Sequence, residues 1–319
     1  MKKILAVMPF TEEDKAYLSS LAPDCSFVYK RIPDVTEEDV QDVDIILGNV
    51  DTKLVAKAPK LRWLQTNSAG ANQYCPEGIL PKEAVLTNAK GAYDTSVSEW
   101  VVAAAFMLAR KTDLYMRNQV ERRWHDEGDV CSIEDSTTLV LGLGSIGADV
   151  ARKMKALGSH VIGVAKHART ETPEYVDEFY TIDQLDSLLP RADYVAMILP
   201  GTDENKNLID ARRLKLMKPT AFLINAGRGN SVNSLDLNEA LHAGTILGAA
   251  LDVTEPEPLP ADHPLWDAPR CIICPHIAGK FHLPKTFRTI VKITGENLQK
   301  FLAGDIASMK NQVNRNLGY

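Results

Sequence analysis

Gly142-Leu143-Gly144-Ser145-Ile146-Gly147 is the stretch on which the reading of the fold turns. An apolar, β-branched run, Thr137-Thr-Leu-Val-Leu141, precedes it. Ala148 to Leu157 follows, rich in helix formers, and stops at Gly158. This is G-x-G-x-x-G between a strand and a helix. The first glycine makes a tight turn, the second lets backbone approach a pyrophosphate, and the third lets helix and strand pack closely. The helix N-terminus offers unpaired N–H groups and the positive end of its dipole to phosphates. In this context the motif points to dinucleotide binding; in isolation it would be only a glycine-rich βα turn.

Around that motif the chain alternates. Upstream, residues 2–8, Asp44-Ile-Ile-Leu47, Leu61-Arg-Trp-Leu-Gln65 and Ala84-Val-Leu-Thr87 read as strands, with helical stretches from Thr11 and over Leu54–Ala58. Downstream of Thr137-Thr-Leu-Val-Leu141, five more strands are expected: His160–Val164, Tyr194–Leu199, Ala221–Asn225, Ile246–Leu251 and Ile272–Cys274, six in all for this half. Strands alternating with helices imply parallel, doubly wound sheets, whose ligands bind at the carboxyl ends of strands. Ser96 through Arg110 reads as the best helix, with Ser96 and Glu99 as a capping box. Its apolar residues cover most of its circumference, as in a helix between domains or subunits, or in an ordinary core helix. A polar helix is expected from Pro284 to about Phe301.

Length and composition bound the rest. A chain of 319 residues favours two domains. Apolar residues at 45% and charged residues at 24% are ordinary values for a soluble protein. A net charge of −6 and the absence of a long basic run give no nucleic-acid footprint. The longest apolar run, Trp100 to Ala109, is about half of what a membrane span needs. Met1-Lys-Lys-Ile-Leu-Ala-Val-Met8 superficially resembles a signal peptide, but it runs straight into Thr11-Glu-Glu-Asp14 and reads as a first strand. Five scattered cysteines suit free thiols in a reducing, cytoplasmic setting. Cys271-Ile-Ile-Cys274 is a C-x-x-C inside a strand-like run with no second pair to complete a zinc site, so no metal is expected and both read as small buried hydrophobes.

Three ionisable residues stand at or just after three strand ends: Arg228 in Asn225-Ala-Gly-Arg-Gly229, Glu257 in Asp252-Val-Thr-Glu-Pro-Glu-Pro258, and His276 in Pro275-His-Ile-Ala-Gly279. Singly, each has a bland reading: a solvated loop arginine, a rigid surface turn, a histidine bonded to backbone. Behind a dinucleotide turn they assemble a hydride-transfer site. A histidine can give or take the proton of a carbonyl/hydroxyl couple near neutral pH. A carboxylate beside it favours the imidazolium and holds its tautomer. An arginine fork can grip a substrate carboxylate and polarise the adjacent keto oxygen. The small-residue loop Ser68-Ala-Gly70, after another strand, leaves backbone N–H groups open to an anion.

These motifs resemble the D-isomer-specific 2-hydroxyacid dehydrogenase family, of the glyoxylate/hydroxypyruvate reductase kind. The resemblance runs from Asp44 through Asn67-Ser-Ala-Gly-Ala-Asn-Gln73 to the ending Asn-Leu-Gly-Tyr319. It is carried most specifically by Gly142–Gly147, Leu199-Pro-Gly-Thr-Asp-Glu-Asn205, Asn225–Gly229, Asp252–Pro258, His263-Pro-Leu-Trp266 and Pro275–Gly279. It implies an α/β fold of two doubly wound parallel-sheet domains. A Rossmann cofactor domain, residues 96–284, would be inserted into a flavodoxin-like substrate domain made of 1–95 and 285–319, and a homodimer would form through the cofactor domain. By the same resemblance Arg228 binds substrate, His276 is the acid/base, and Glu257 rather than Glu255 is its partner. The Ala69–Gly70 backbone would bind the substrate carboxylate. Asp252 would lie near the nicotinamide carboxamide. Gly142, Gly144, Ser145, Ile146, Gly147, Leu199, Pro200, Asn225, Ala226, Ala278 and Gly279 would contact the cofactor.

The chain also departs from the family pattern. The strand His160–Val164 should end in an acidic residue if a ribose 2′-hydroxyl is to be gripped. Ala165-Lys-His-Ala-Arg169 stands there instead, so Lys166 and Arg169 point to a 2′-phosphate and to NADP(H), with NAD(H) the alternative if both are merely solvated. Asn233 stands where the family often has aspartate, a helix cap in either case. Lys280-Phe-His282 replaces small residues, and His282 is not expected to act directly. The expectation is an NAD(P)-dependent oxidoreductase interconverting a small 2-keto acid and a (D)-2-hydroxy acid. The rival reading is a dinucleotide-sensing regulatory protein on the same fold, which would need extra interaction segments.

Overall fold

The alternating runs become two all-parallel sheets in the computed structural model, which describes residues 1–316. Met1–Tyr93 and the chain from Phe281 onward make one compact unit; Asp94–Lys280 make the other. The last three residues of the Asn-Leu-Gly-Tyr ending lie outside the described residues.

The first unit carries β1 (Lys2–Ala6), β2 (Cys25–Tyr29), β3 (Ile45–Leu47), β4 (Trp63–Gln65) and β5 (Val85–Thr87), in the order β2-β1-β3-β4-β5. That is the flavodoxin-like order. Ile45, Ile46 and Leu47 are all fully buried, as continuous apolar runs in a parallel sheet must be when helices cover both faces. The helix Glu12–Leu21 opens on a capping box between Thr11 and Asp14. Asn297, on the helix Pro284–Leu302, donates to Gln65 at the end of β4, so the last helix closes the sheet formed by the first strands.

The second unit carries β6 (Thr137–Leu141), β7 (His160–Ala165), β8 (Glu178–Thr181), β9 (Tyr194–Met197), β10 (Phe222–Asn225), β11 (Gly248–Leu251) and β12 (Cys271–Ile273). Their order is β12-β11-β10-β9-β6-β7-β8. The chain reverses direction across the sheet between β6 and β9, the switch point at which ligands bind in such sheets. Side chains alternate across β6: Leu139 and Leu141 enter one core, Val140 the other. Among the described residues no helix is long and apolar enough to cross a membrane.

Two strands are additions to the sequence reading, β2 and β8, so the second unit has seven strands where six are expected. Both are edge strands with every residue half-buried. A strand that is half wet on both faces shows neither an unbroken apolar run nor clean alternation. The long helix also begins earlier than read. It spans Asp94–Ala109, so Ser96 is inside the first turn rather than at the cap, and its hydroxyl donates to Ala278 O at 2.6 Å. Val101, Ala104, Ala105 and Leu108 of this helix enter the core that also holds Val140 and Met154, while Phe106 stays 41% exposed.

Leu139 is fully buried on β6, an interior strand of the second unit. Leu139→Ala is expected to lower the unfolding free energy by about 2–5 kcal/mol in urea titration, through lost transfer energy and a residual cavity.

Candidate active site

The glycine turn begins where β6 ends. Gly142 has φ +98°, and a Cβ there would stand 2.6 Å from Ile198 O. At Gly147 a Cβ would stand 1.8 Å from Gly142 O, so only glycine lets the helix Ser145–Ala156 pack this close to the strand. Gly144 is different: a Cβ there meets nothing within 4 Å. The helix N-terminus behind it has no side-chain cap. An open space in front of uncapped N–H groups fits a pyrophosphate, whose charge the dipole favours.

At the exit of β7, Ala165 is followed by Lys166, whose ammonium meets Glu204 at 2.6 Å with both side chains exposed. Arg169 folds back toward the glycine turn. It donates to Leu143 O at 2.9 Å and to Tyr175 OH at 3.1 Å, and its guanidinium lies 5.5 Å from the Phe179 ring centre. Glu204 lies 38 residues from Lys166, so no local pattern marks the two as partners.

The loops after β9, β10 and β11 are wedged together. A Cβ on Gly227 would collide with the backbone of Leu199, and one on Gly229 with the backbone of Thr254. Asn225 is fully buried, with its side chain taken up by its own turn: Oδ1 accepts from Gly227 N at 3.0 Å and Nδ2 donates to Arg228 O at 3.0 Å. Arg228 is half-buried, with its stem over Gly201 and one guanidinium nitrogen on Gly227 O at 2.8 Å. Asn233 caps the helix Ser234–His242, accepting from Leu235 N and Asp236 N.

Asp252 directly follows β11 and is only 2% exposed. Its carboxylate accepts from Ile277 N at 2.8 Å and from Ala278 N at 3.1 Å. Burial pushes its carboxyl above the ordinary range, an effect those two N–H groups oppose. Its carbonyl accepts from His276 N at 2.8 Å. His276 is held at φ +52°, a left-handed conformation rare outside glycine. There its Nδ1 meets Glu257 Oε1 at 2.6 Å, with both side chains about two-fifths exposed. It is thus Glu257 whose carboxylate meets the imidazole. Arg228, Glu257 and His276 follow β10, β11 and β12, three neighbouring strands.

In the first unit, Ala69 and Gly70 lie in a half-buried loop after β4. His282 is exposed, among residues of that unit. Cys271 and Cys274 are free thiols; burial pushes Cys271 up to about 12 and raises Cys274, so both stay protonated and unreactive at neutral pH. Among the described residues no cluster of His, Cys, Asp and Glu is arranged to hold a metal.

Comparison with known proteins places this geometry. The model of the D-isomer specific 2-hydroxyacid dehydrogenase NAD-binding domain matches residues 102–278. A glyoxylate/hydroxypyruvate reductase B of Pectobacterium carotovorum is 33% identical over 266 residues, 81% of each chain. The structure of a D-isomer specific 2-hydroxyacid dehydrogenase family protein from Aeromonas salmonicida superposes with a TM-score of 0.86 at 30% identity, covering 98% of this chain and 99% of that one. The NADPH-dependent glyoxylate/hydroxypyruvate reductase of Sinorhizobium meliloti, solved with NADP and sulfate, superposes at 0.84 and 27% identity over the full length of both. The fold and site define a nicotinamide-dependent oxidoreductase acting on CH–OH groups. The chain belongs to the D-isomer specific 2-hydroxyacid dehydrogenase family.

The two outer glycines and the middle one should respond differently to a methyl group. Gly144→Ala is expected to keep the thermal midpoint within about 2 °C of wild type while weakening dinucleotide binding at least tenfold, read by protein fluorescence quenching. Gly147→Ala must displace backbone, and is expected to lower the midpoint itself by several degrees.

Proposed function

We propose that the chain is a reductase of small 2-keto acids of the glyoxylate and hydroxypyruvate type, working with NADPH in preference to NADH. The observation that carries this reading is the Glu257–His276 pair, 2.6 Å apart, on a turn locked by Asp252 beside the strand end that carries Arg228. The second unit would be the cofactor domain and the first the substrate domain. Relatives that act on glyoxylate and hydroxypyruvate, one of them solved with NADP, support the substrate class and the cofactor.

When bound, the nicotinamide supplies the hydride. The residues of the chain supply the rest. Arg228 grips the substrate carboxylate and polarises the keto oxygen. In the first unit, the backbone of Ala69 and Gly70 offers N–H groups to a substrate carboxylate. The Glu257 carboxylate holds a proton on His276 Nδ1, so the proton that His276 gives to the developing alkoxide is the one on Nε2. Asp252, with Ala278 and Gly279, borders the nicotinamide end of the cofactor. Ser145, Ile146 and Gly147 present helix N–H groups to its pyrophosphate, and Leu199, Pro200, Asn225 and Ala226 offer the backbone it passes. Lys166 and Arg169 take the 2′-phosphate, since the exit of β7 carries no acidic residue to accept a ribose hydroxyl.

His276→Gln is expected to lower kcat by about 10²–10⁴-fold while leaving the NADPH dissociation constant unchanged; near-normal turnover would remove His276 from the chemistry. Glyoxylate and hydroxypyruvate assayed with NADPH and NADH in parallel test the cofactor reading, which a strong NADH preference would overturn.

The second unit also presents apolar surface in sequence from two consecutive helices, Asp94–Ala109 and Thr112–Val120, and the turn after them. Phe106, Met116 and Val120 are exposed there, and Trp124 is fully so. Exposed apolar surface of this kind marks an interaction site, and a second copy of the chain is the partner proposed. Val120→Asp is expected to shift the mass measured by light scattering from dimer to monomer. Five free thiols support a reducing, cytoplasmic setting.

A further inference from the structure

The loop after β4 is built so that its carbonyls point inward and its N–H groups outward. Tyr93 OH donates to Asn67 O. Ala89 N and Thr66 Oγ1 donate to Ser68 O, at 2.9 and 3.0 Å. Asn88 Nδ2 donates to Ala69 O at 2.8 Å. Ser68 Oγ donates to Gly70 O at 2.5 Å and in turn accepts from Asn49 Nδ2 at 3.0 Å. Asn49 and Asn67 each accept the other's backbone N–H through a side-chain oxygen, at 3.1 and 3.0 Å.

A trans peptide is planar, and its C=O and N–H point in opposite directions. Fixing the carbonyl of one residue therefore fixes the N–H of the next. The bond to Asn67 O aims the N–H of Ser68, those to Ser68 O aim that of Ala69, and the bond to Ala69 O aims that of Gly70. Among the described residues none accepts a hydrogen bond from any of these three N–H groups. They stand in a half-buried loop, where successive free N–H groups form a concavity suited to an anion. Both side chains that aim the outer two N–H groups are buried and come from beyond β5. Asn88 is itself held, its Oδ1 accepting from Lys90 N at 3.0 Å and its backbone bonded to Asn311.

We propose that Asn88 and Tyr93 are positioning residues for the substrate. They touch neither substrate nor cofactor, and they act by holding the peptide planes of the Asn67–Gly70 loop so that its N–H groups form a ready-made carboxylate site. This rests on the reading above that the loop receives the carboxylate of a 2-keto acid. Preorganised donors bind without the cost of ordering the loop at each encounter. The carboxylate keeps its charge throughout the reduction, so contacts to it stabilise ground and transition states alike and appear in KM rather than kcat.

The test uses full-length Tyr93→Phe and Asn88→Ala. Each is expected to raise KM for glyoxylate about five- to tenfold, with kcat within about twofold and KM for NADPH unchanged. Calorimetry with oxalate, in the presence of NADPH, is expected to show the same loss of affinity and reads the loop without turnover. Unchanged glyoxylate KM and oxalate affinity in both variants, with or without a lower thermal midpoint, would make the two residues purely structural and overturn the proposal. Wild-type protein that binds oxalate but reduces no 2-keto acid would overturn the assigned reaction instead, and the oxalate affinities of the variants would still decide the loop.

Discussion

One buried acidic side chain ties three strand ends of the second unit together. Asp252 donates its N–H to Asn225 O at the end of β10, accepts His276 N at its own carbonyl, and accepts Ile277 N and Ala278 N at its side chain. The loops that carry Arg228, Glu257 and His276 therefore meet at a single residue. Removing a carboxylate from water costs several kcal/mol unless donors replace the water. The cost shows in the upward displacement of its carboxyl, and two backbone N–H groups offset part of it. Those donors exist only because the chain after β12 turns sharply through His276. The left-handed φ of His276 and the burial of the Asp252 carboxyl group therefore depend on each other. The Glu257 contact is of a different kind: an exposed pair contributes little to stability, and its effect is on which imidazole nitrogen carries the proton.

The parts of this arrangement that were legible from residues are those where local chemistry forces a residue type. A glycine whose Cβ would lie 1.8 Å from a carbonyl oxygen cannot be anything else, so the turn after β6 is written openly in the chain. Core strands buried on both faces are legible for the same reason. The edge strands β2 and β8 were not, because half-exposed positions accept almost any residue. Ser96 shows a subtler failure. Ser-x-x-Glu satisfies the pattern of a cap, but its hydroxyl bonds Ala278 O, 182 residues away, and no local pattern reports such a partner. The spacing of Arg228, Glu257 and His276 showed that three strand ends carry ionisable groups. That those strands are neighbours is a fact of topology.

The cofactor preference proposed here turns on a competition that the residues after β7 do not display by themselves. Lys166 is paired with Glu204, and that pair is exposed on both sides. Exposed ion pairs contribute about 0–1 kcal/mol, because water solvates the separated charges nearly as well. A 2′-phosphate carries more charge and more acceptor oxygens than a carboxylate, so on the proposed reading it would displace Glu204 from the ammonium. Among the described residues Arg169 meets no acidic partner. Its guanidinium is braced by a carbonyl of the glycine turn, a phenol and an aromatic face, contacts that orient the fork without neutralising it. The same turn proposed to receive the pyrophosphate thus also holds, through Leu143 O, the cation proposed for the far phosphate.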